Sequence, residues 1–241
     1  MMRVLLVIPA HNEELVIERN ARALYDFCSR NLAKYDWNIF IASNGSSDGT
    51  AAIGVRLAKE LPRLRMADSP EGGRGRTLRR VWSESEADIL VYMDADLSTD
   101  LIALPKLVEE IERGADVTYG SRFARGAQVE RSVLREITSR GYRALVRVLL
   151  GLRASDAQCG FKGVRRDAFQ KLAPKLQDNN WFFDTELLLH AERSGMRVVE
   201  IPVSWVEDRV KGRKSTVKLL RTIFDYIKTV IVFGFREGWR G

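Results

Sequence analysis

The chain has 241 residues, of which 45% are hydrophobic and 29% are charged, and its formal net charge at pH 7 is +7. This length and apolar content allow a substantial core and exclude a disordered or fibrous protein. The two cysteines, Cys28 and Cys159, lie far apart and form no Cys-x-x-Cys pattern. They argue against a disulfide framework or a cysteine-bound zinc ion, and they favour a reducing, cytosolic setting. Residues 1–9 predict a first strand and not a signal peptide.

The first half of the chain alternates between short apolar runs and amphipathic segments. The apolar runs predict strands at residues 4–8, 37–42, 89–93 and 116–119. The intervening segments predict helices at residues 13–32, 50–61, 76–86 and 101–113, with Asp48 and Asp100 as N-caps. This alternation predicts an α/β fold with a Rossmann-like, mainly parallel sheet flanked by helices. Ligands bind such sheets at the carboxyl ends of the strands.

The second half predicts an amphipathic helix at 131–150, a glycine-containing segment at 158–163 and a helix near 184–194. A strand at 198–206 and a basic loop at 209–215 follow. The apolar stretch 217–235 is interrupted by four charged residues, so it predicts an interfacial amphipathic helix and not a spanning one. The alternative is a helix packed on its own domain. We expect a catalytic domain over residues 1–215 and an amphipathic helix, associated with a membrane surface, over 216–241.

Positive charge is concentrated in three segments. Residues 63–80 carry six Arg and two acids, residues 122–153 carry eight Arg and two acids, and residues 207–241 carry nine Lys and Arg and four acids. Such clustering favours an anionic partner, either nucleic acid, nucleotide phosphates, lipid phosphates or a membrane surface. The alternative is an arginine-rich surface that is simply solvated.

Two acids, Asp94 and Asp96, directly follow the apolar run 89–93. In an extended chain, residues i and i+2 project to the same side, so both carboxylates can point at one hard cation. Such an ion keeps open positions for diphosphate oxygens. The alternative is that both acids serve as helix caps or turn residues. The loops 9–14 and 43–50 also follow strands and open helices, which places further polar groups at the same edge of the sheet.

Eight motifs in this order resemble the family 2 glycosyltransferases with a GT-A fold, and most closely the polyprenyl-phosphate hexosyltransferases such as dolichyl-phosphate mannose and glucose synthases. The motifs are IPAHNE (8–13), NGSSDGT (44–50), GRGRTLR (73–79), DADLS (94–98), GSR (120–122), DAQCGFKG (156–163), WFFDTELL (181–188) and DRVKGRKS (208–215). Each motif is weak alone, but together they cover nearly the whole chain.

The resemblance implies a role for each matching position. Asp96, helped by Asp94, would bind Mg or Mn bridging the donor diphosphate. The donor nucleotide would be bound by Pro9, Ala10, Glu13, Asn44, Asp48, Arg74, Gly75 and Asp94. Arg122 would face the sugar-phosphate region and act in catalysis with Asp96 and Arg209. The acceptor phosphate and sugar would be bound by Arg135, Ser139, Gln158 and Lys214.

Two departures from the family pattern affect the donor. Asn44 stands where an Asp is usual, so the contact that recognises the base is expected to change. Ser98 stands where many mannose synthases carry Gln. We therefore leave the donor open between GDP-mannose and UDP-glucose.

The resemblance implies an inverting transfer of mannose or glucose to dolichyl or polyprenyl phosphate. A phosphate monoester is mostly dianionic at neutral pH, so this acceptor needs no strong general base. We expect a peripheral enzyme on the cytoplasmic face of the membrane, with no nucleic-acid partner.

Three other functions remain to be weighed. A transferase acting on a sugar hydroxyl needs a carboxylate base, for which Asp184 and Glu186 are candidates, although both also fit helix caps. A sugar nucleotidyltransferase normally shows a glycine-rich, basic signature after its first strand, which IPAHNE lacks. A nucleic-acid-binding protein would show a recognisable module or aromatics interleaved with the basic residues, and neither is present.

Overall fold

The computed structural model describes residues 1–130, 133–206 and 219–238, except for the side chains of residues 133, 135 and 219–225. Within these residues the chain forms nine strands and eight helices. The strands are β1 (Arg3–Ala10), β2 (Asp36–Asn44), β3 (Leu64–Ser69), β4 (Ile89–Met93), β5 (Val117–Ser121), β6 (Gln128–Glu130), β7 (Phe161–Arg165), β8 (Val198–Pro202) and β9 (Ser204–Val206). The helices are α1 (Ile17–Asn31), α2 (Thr50–Glu60), α3 (Arg74–Glu84), α4 (Leu104–Glu112), α5 (Val133–Leu150), α6 (Arg166–Leu172), α7 (Phe183–Arg193) and α8 (Leu219–Glu237).

Seven strands form one sheet in the order β3-β2-β1-β4-β7-β5-β8. All neighbours are parallel except β7, which runs antiparallel to both β4 and β5. Side chains alternate across β1, so Leu6 and Ile8 enter the core on the side of α1 and α4, and Val7 enters the core on the side of α3 and α7. The sheet is therefore buried on both faces, and the predicted α/β architecture is confirmed.

Several predicted elements differ from the observed ones. The segment 198–206 is two strands in different sheets, because the chain crosses at Val203 from β8 to β9, which pairs with β6. Helix α1 begins at Ile17 and not at residue 13. The backbone N–H of Glu13 instead donates to Thr50 Oγ1 at 2.8 Å, and that of Glu14 donates to Asp48 at 3.2 Å. These bonds join the loop after β1 to the loop after β2.

The two predicted N-caps behave differently. Asp100 accepts the backbone N–H of Ile102 and caps the short 3-10 turn that leads into α4. The N-cap of α2 is Gly49 and not Asp48. Asp48 nevertheless accepts the N–H of Thr50, the first residue of that helix, at 3.0 Å.

Helix α8 packs on the rest of the chain through Val230 and Phe233, which are buried, and the centroid of the Phe233 ring lies 5.4 Å from that of Phe182. Its outer side leaves Ile227, Ile231 and Phe235 exposed. The helix therefore combines packing on its own domain with an exposed apolar face. No helix in the described part of the chain is long and apolar enough to cross a membrane. The proposed domain boundary after residue 215 falls outside the described residues.

Candidate functional site

The parallel strands β1, β2 and β4 end side by side. Ala10 pairs with Ser43 at the end of β2, and Val7 pairs with Tyr92 near the end of β4. Pro9 and Ala10, both buried, and the Asp94–Asp96 turn therefore lie at one edge of the sheet. This is the edge at which α/β sheets bind ligands.

The turn after β4 sets the direction of both acids. Leu97 adopts a left-handed φ of 48°, a conformation that is costly for a residue with a side chain. Its N–H donates to the carbonyl of Asp94 at 3.1 Å, and the N–H of Ser98 donates to Asp96 Oδ1 at 3.0 Å. The sharp turn holds both acids at the carboxyl end of β4.

Asp94 contacts two other groups. Its carboxylate Oδ1 is 3.2 Å from Arg74 Nη2, and its backbone N–H donates to the carbonyl of Gly160 at 3.0 Å. Burial raises the pKa of Asp94 to about 6; Arg74 opposes this shift, and the negative charges of Asp96 and Asp184 add to it.

The two carboxylates suit a hard divalent ion, because Mg²⁺ and Mn²⁺ prefer oxygen ligands. The Asp94 side chain is 39% exposed. Among the described residues, no three His, Cys, Asp or Glu side chains meet in a group able to hold a metal. An ion on Asp94 and Asp96 would therefore complete its coordination with water or with the oxygens of a bound diphosphate.

Arg74, in the first turn of α3, is the cation that pairs with Asp94 among the described residues. Its guanidinium lies between the rings of Tyr92 and Trp181, at 4.8 and 4.7 Å from their centroids. Nη1 is 3.1 Å from Asp184 and Nη2 is 3.2 Å from Asp94, whereas Nε is buried and makes no hydrogen bond. Arg74 therefore keeps one unused donor, which suits it to an anionic ligand. Gly75 follows in close contact with the 178–180 backbone, where a Cβ would lie 2.5 Å from the carbonyl of Asp178.

The side chain of Asn44 makes its hydrogen bonds within the protein. Its Nδ2 donates to the carbonyl of Ala10 at 2.9 Å, and its Oδ1 accepts the N–H of Gly73 at 3.3 Å. The side chain is buried and ties the ends of β1 and β2 to the start of α3. Asp48 is likewise committed, since it accepts the Thr50 hydroxyl at 2.5 Å. Burial opposes ionisation of Asp48, but the hydrogen bonds from Thr50 and Glu14 outweigh it and lower the pKa.

Arg122 forms a bidentate ion pair with Asp156, with Nε–Oδ2 at 2.7 Å and Nη2–Oδ1 at 2.8 Å. Its backbone N–H donates to the same carboxylate at 3.0 Å, and its guanidinium lies 5.6 Å from the Trp205 ring. Burial alone would raise the pKa of Asp156, but the charge and hydrogen bonds of Arg122 outweigh this effect and lower the pKa. Arg122 thus joins the end of β5 to the 156–160 loop. Gln158, in the same loop, hydrogen-bonds the hydroxyl of Tyr226 in α8.

The remaining predicted residues are Arg135, Ser139, Arg209 and Lys214. Strands β6 and β9 pair in parallel and end together at Glu130 and Val206. Ser139 lies in α5. Arg209 and Lys214 lie outside the described residues, as does the side chain of Arg135.

Asp184 and Glu186 are not helix caps. Both lie in the first turn of α7, whose N-cap is Phe182. Glu186 accepts the N–H groups of residues 177 and 178, each at 2.8 Å, and pairs with Arg236 of α8 at 2.7 Å. Asp184 pairs with Arg74 and with Lys162, each at 3.1 Å. Both carboxylates are therefore buried and bonded within the protein.

Lys162 and Tyr92 belong to the site and were missed by the sequence analysis. Lys162 is fully buried within β7, and Tyr92 lies in β4 directly opposite it. A lysine next to the apolar Phe161 was the available signal, because a buried lysine requires an ionic or hydrogen-bonding partner.

Comparison with known proteins agrees with this geometry. The family model described as "Glycosyl transferase family 2" matches residues 5–173. The chain is 39% identical over 206 residues to "Glycosyltransferase AglD" of Haloferax volcanii, covering 85% of this chain and 33% of that protein. It therefore spans one third of the length of that relative.

Two relatives match over more of their own length. The chain is 30% identical to the "Dolichyl-phosphate beta-glucosyltransferase" of Saccharomyces cerevisiae, covering 89% of this chain and 69% of the relative. It is 27% identical to the "Dolichol-phosphate mannosyltransferase" of Pyrococcus furiosus, covering 95% and 63%.

Solved structures support the fold. Glucosyl-3-phosphoglycerate synthase from Mycobacterium tuberculosis, solved with Mn²⁺ and UDP, aligns with a TM-score of 0.65 at 19% identity, over 95% of this chain and 77% of its own. The mannosyltransferase PcManGT from Pyrobaculum calidifontis, solved with GDP-Man and Mn²⁺, aligns at 0.63 and 16% identity, over 98% and 65%. The fold is GT-A, as the sequence predicted, and the chain belongs to glycosyl transferase family 2.

Proposed function

We propose that this protein transfers a hexose, mannose or glucose, from a nucleoside-diphosphate sugar to dolichyl or another polyprenyl phosphate. The observation that carries the proposal is the pairing of Asp94, the first of two acids after β4, with Arg74, a buried cation whose Nε is unused. The names of the yeast and Pyrococcus relatives support this class of acceptor.

The donor diphosphate would bind at the sheet edge. Asp96 and Asp94 would hold Mg²⁺ or Mn²⁺, which when bound stabilises negative charge on the leaving diphosphate. Arg74, whose Nε makes no hydrogen bond within the described residues, would donate to a phosphate oxygen of the donor. The solved relatives bound to UDP or GDP-Man together with Mn²⁺ support this assignment.

The burial and ion pairing of Asp184 and Glu186 favour an acceptor that is already a negatively charged nucleophile. A sugar hydroxyl would need an accessible carboxylate to remove its proton, and both candidates are buried and bonded to cations. A lipid phosphate is already anionic and attacks without such a base. A single displacement at C1 would then invert the anomeric configuration.

The exposed sides of α5 and α8 support binding at a membrane surface. Leu134, Ile137 and Val148 are exposed on α5, and Ile231 and Phe235 are exposed on α8. Cationic side chains accompany them: Arg140 and Arg147 are exposed on α5. Apolar contact combined with positive charge is the pattern by which peripheral proteins bind anionic bilayers. The two cysteines, buried and unpaired, fit the cytoplasmic face.

The acceptor class is tested by offering labelled GDP-mannose or UDP-glucose with Mn²⁺ and one of three acceptors: dolichyl phosphate, dolichol or a soluble oligosaccharide. We expect label to enter the lipid only when the phosphate is present. Transfer to the oligosaccharide, with loss of activity in an Asp184→Asn variant but unchanged donor binding, would favour the hydroxyl-acceptor alternative.

A further inference from the structure

Asp184 lies at the centre of a buried ionic network. Its Oδ2 is 3.1 Å from Arg74 Nη1 and its Oδ1 is 3.1 Å from Lys162 Nζ. The hydroxyl of Tyr92 also donates to Oδ1. A buried carboxylate is costly unless opposite charges and hydrogen bonds compensate it, and here two cations and a phenol do so.

Lys162 connects Asp184 to the loop that precedes β7. Its ammonium donates to the carbonyl of Cys159 at 2.6 Å and to that of Ala157 at 2.9 Å. These bonds, together with the pair to Asp184, use the donors of a fully buried lysine. The loop is thus held in place from inside the protein.

The same loop packs directly against Asp94. The carbonyl of Gly160 accepts the N–H of Asp94 at 3.0 Å, and a Cβ on Gly160 would lie 1.9 Å from Asp94 Oδ2. No side chain fits between the loop and the carboxylate. A shift of the 157–160 backbone would therefore displace the Asp94 carboxylate.

Arg74 provides the second connection from Asp184 to Asp94. Its Nη1 binds Asp184 and its Nη2 lies 3.2 Å from Asp94 Oδ1. The Asp94 carboxylate is therefore contacted on one side by Arg74 and on the other by Gly160, and each of these groups is anchored on Asp184.

We propose that Asp184 is a positioning residue of the metal site: by binding Arg74 and Lys162, it fixes the Asp94 carboxylate and the loop against it. The inference rests on the proposed function insofar as Asp94 holds the ion. It assigns Asp184 no proton transfer. Outer partners of metal ligands commonly alter affinity for the ion by about 10- to 100-fold when removed.

The test is the affinity of the purified protein for Mn²⁺ in the presence of UDP or GDP and without any lipid, measured by titration calorimetry. We expect Asp184→Asn to weaken Mn²⁺ binding by about tenfold or more. Unchanged Mn²⁺ affinity in a folded Asp184→Asn protein that has lost turnover would overturn the proposal and leave Asp184 as a general base.

Glu186→Gln is the matched control. Glu186 lies in the same turn of α7, is equally buried and also pairs with an arginine, but its partners are residues 177, 178 and Arg236. We expect it to lower thermal stability and leave Mn²⁺ affinity within about twofold of the wild type. An equal loss of Mn²⁺ affinity in both variants would overturn the proposal, since general destabilisation would then explain it.

Lys162→Met provides a second route if Asp184→Asn does not fold. It removes the anchor of the loop and leaves Arg74 paired with Asp184, and we expect it too to weaken Mn²⁺ binding. Unchanged affinity in this variant would contradict the proposal. If the wild-type protein binds no Mn²⁺ with either nucleotide, the proposed function is contradicted. If the wild type binds Mn²⁺ and the variants bind it equally well, only the positioning role of Asp184 is contradicted.

Discussion

Arg122 and Asp156 form a buried, bidentate ion pair that joins the end of β5 to the loop preceding β7. Both heavy-atom distances are below 2.9 Å, and the Arg122 backbone N–H donates to the same carboxylate. The loop carries Gly160, which packs on Asp94. The pair therefore supports the loop that packs against Asp94 as well as the fold.

Replacing Arg122 by Ala is expected to lower the free energy of unfolding by about 3–5 kcal/mol, because it leaves a buried carboxylate without its counter-ion. Transfer activity should fall as well, since the loop loses one of its anchors. Chemical denaturation measures the first effect. Arg113→Ala, which removes exposed ion pairs to Glu109 and Glu110, serves as the control and should cost less than about 1 kcal/mol. Equal losses in the two variants would contradict the structural role of Arg122.

Asn44→Asp, which restores the acid usual in the resembling family, is expected to destabilise this protein. The Asn44 amide donates to the carbonyl of Ala10, and a carboxylate there would face that oxygen without a proton to donate. The loss of a buried hydrogen bond corresponds to about 1–3 kcal/mol, measurable by denaturation. Asn31→Asp, at an exposed end of α1, should have a smaller effect. A stable Asn44→Asp protein with tighter nucleotide binding would instead place residue 44 at the base.

Phe235→Glu tests the proposed membrane surface. Phe235 is 77% exposed on α8, so a charge there should leave stability unchanged and weaken binding to vesicles containing phosphatidylglycerol. Val55→Glu, at a 47% exposed position on α2, is the matched control and should bind vesicles as the wild type does. Flotation measures both. Equal binding by all three proteins would argue against this surface.

Strand positions were predicted best where both faces of a strand are buried. Residues 89–93 are apolar throughout and form β4 with the predicted bounds. Strand β3 was missed because it lies at the sheet edge and exposes Arg65. Strand β7 was missed because Lys162 and Gly163 interrupt its apolar character. Strands β3 and β7 form by pairing with adjacent strands of the sheet, and the local sequence does not reveal this pairing.

Spacing along the chain predicted only the local part of the site. Asp94 and Asp96 both follow β4, and their joint binding of an ion stays a prediction. The partners of Asp184 come from residues 74, 92 and 162, and only the folded sheet brings these positions into contact. For the same reason the sequence left Asp184 as a base or a cap, whereas the structure places it in an ionic network.

The most direct test of the proposed function is the transfer of labelled hexose to dolichyl phosphate by the purified protein with Mn²⁺, with GDP-mannose and UDP-glucose supplied in separate reactions. Asp96→Ala, which removes an acid at the mouth of the site, and an EDTA-treated sample accompany the wild type. We expect label in an organic-extractable product with one of the two donors. We also expect EDTA and Asp96→Ala each to abolish transfer while the fold, followed by circular dichroism, is retained. Undiminished transfer by Asp96→Ala, or no labelled lipid with either donor, would contradict the proposed function.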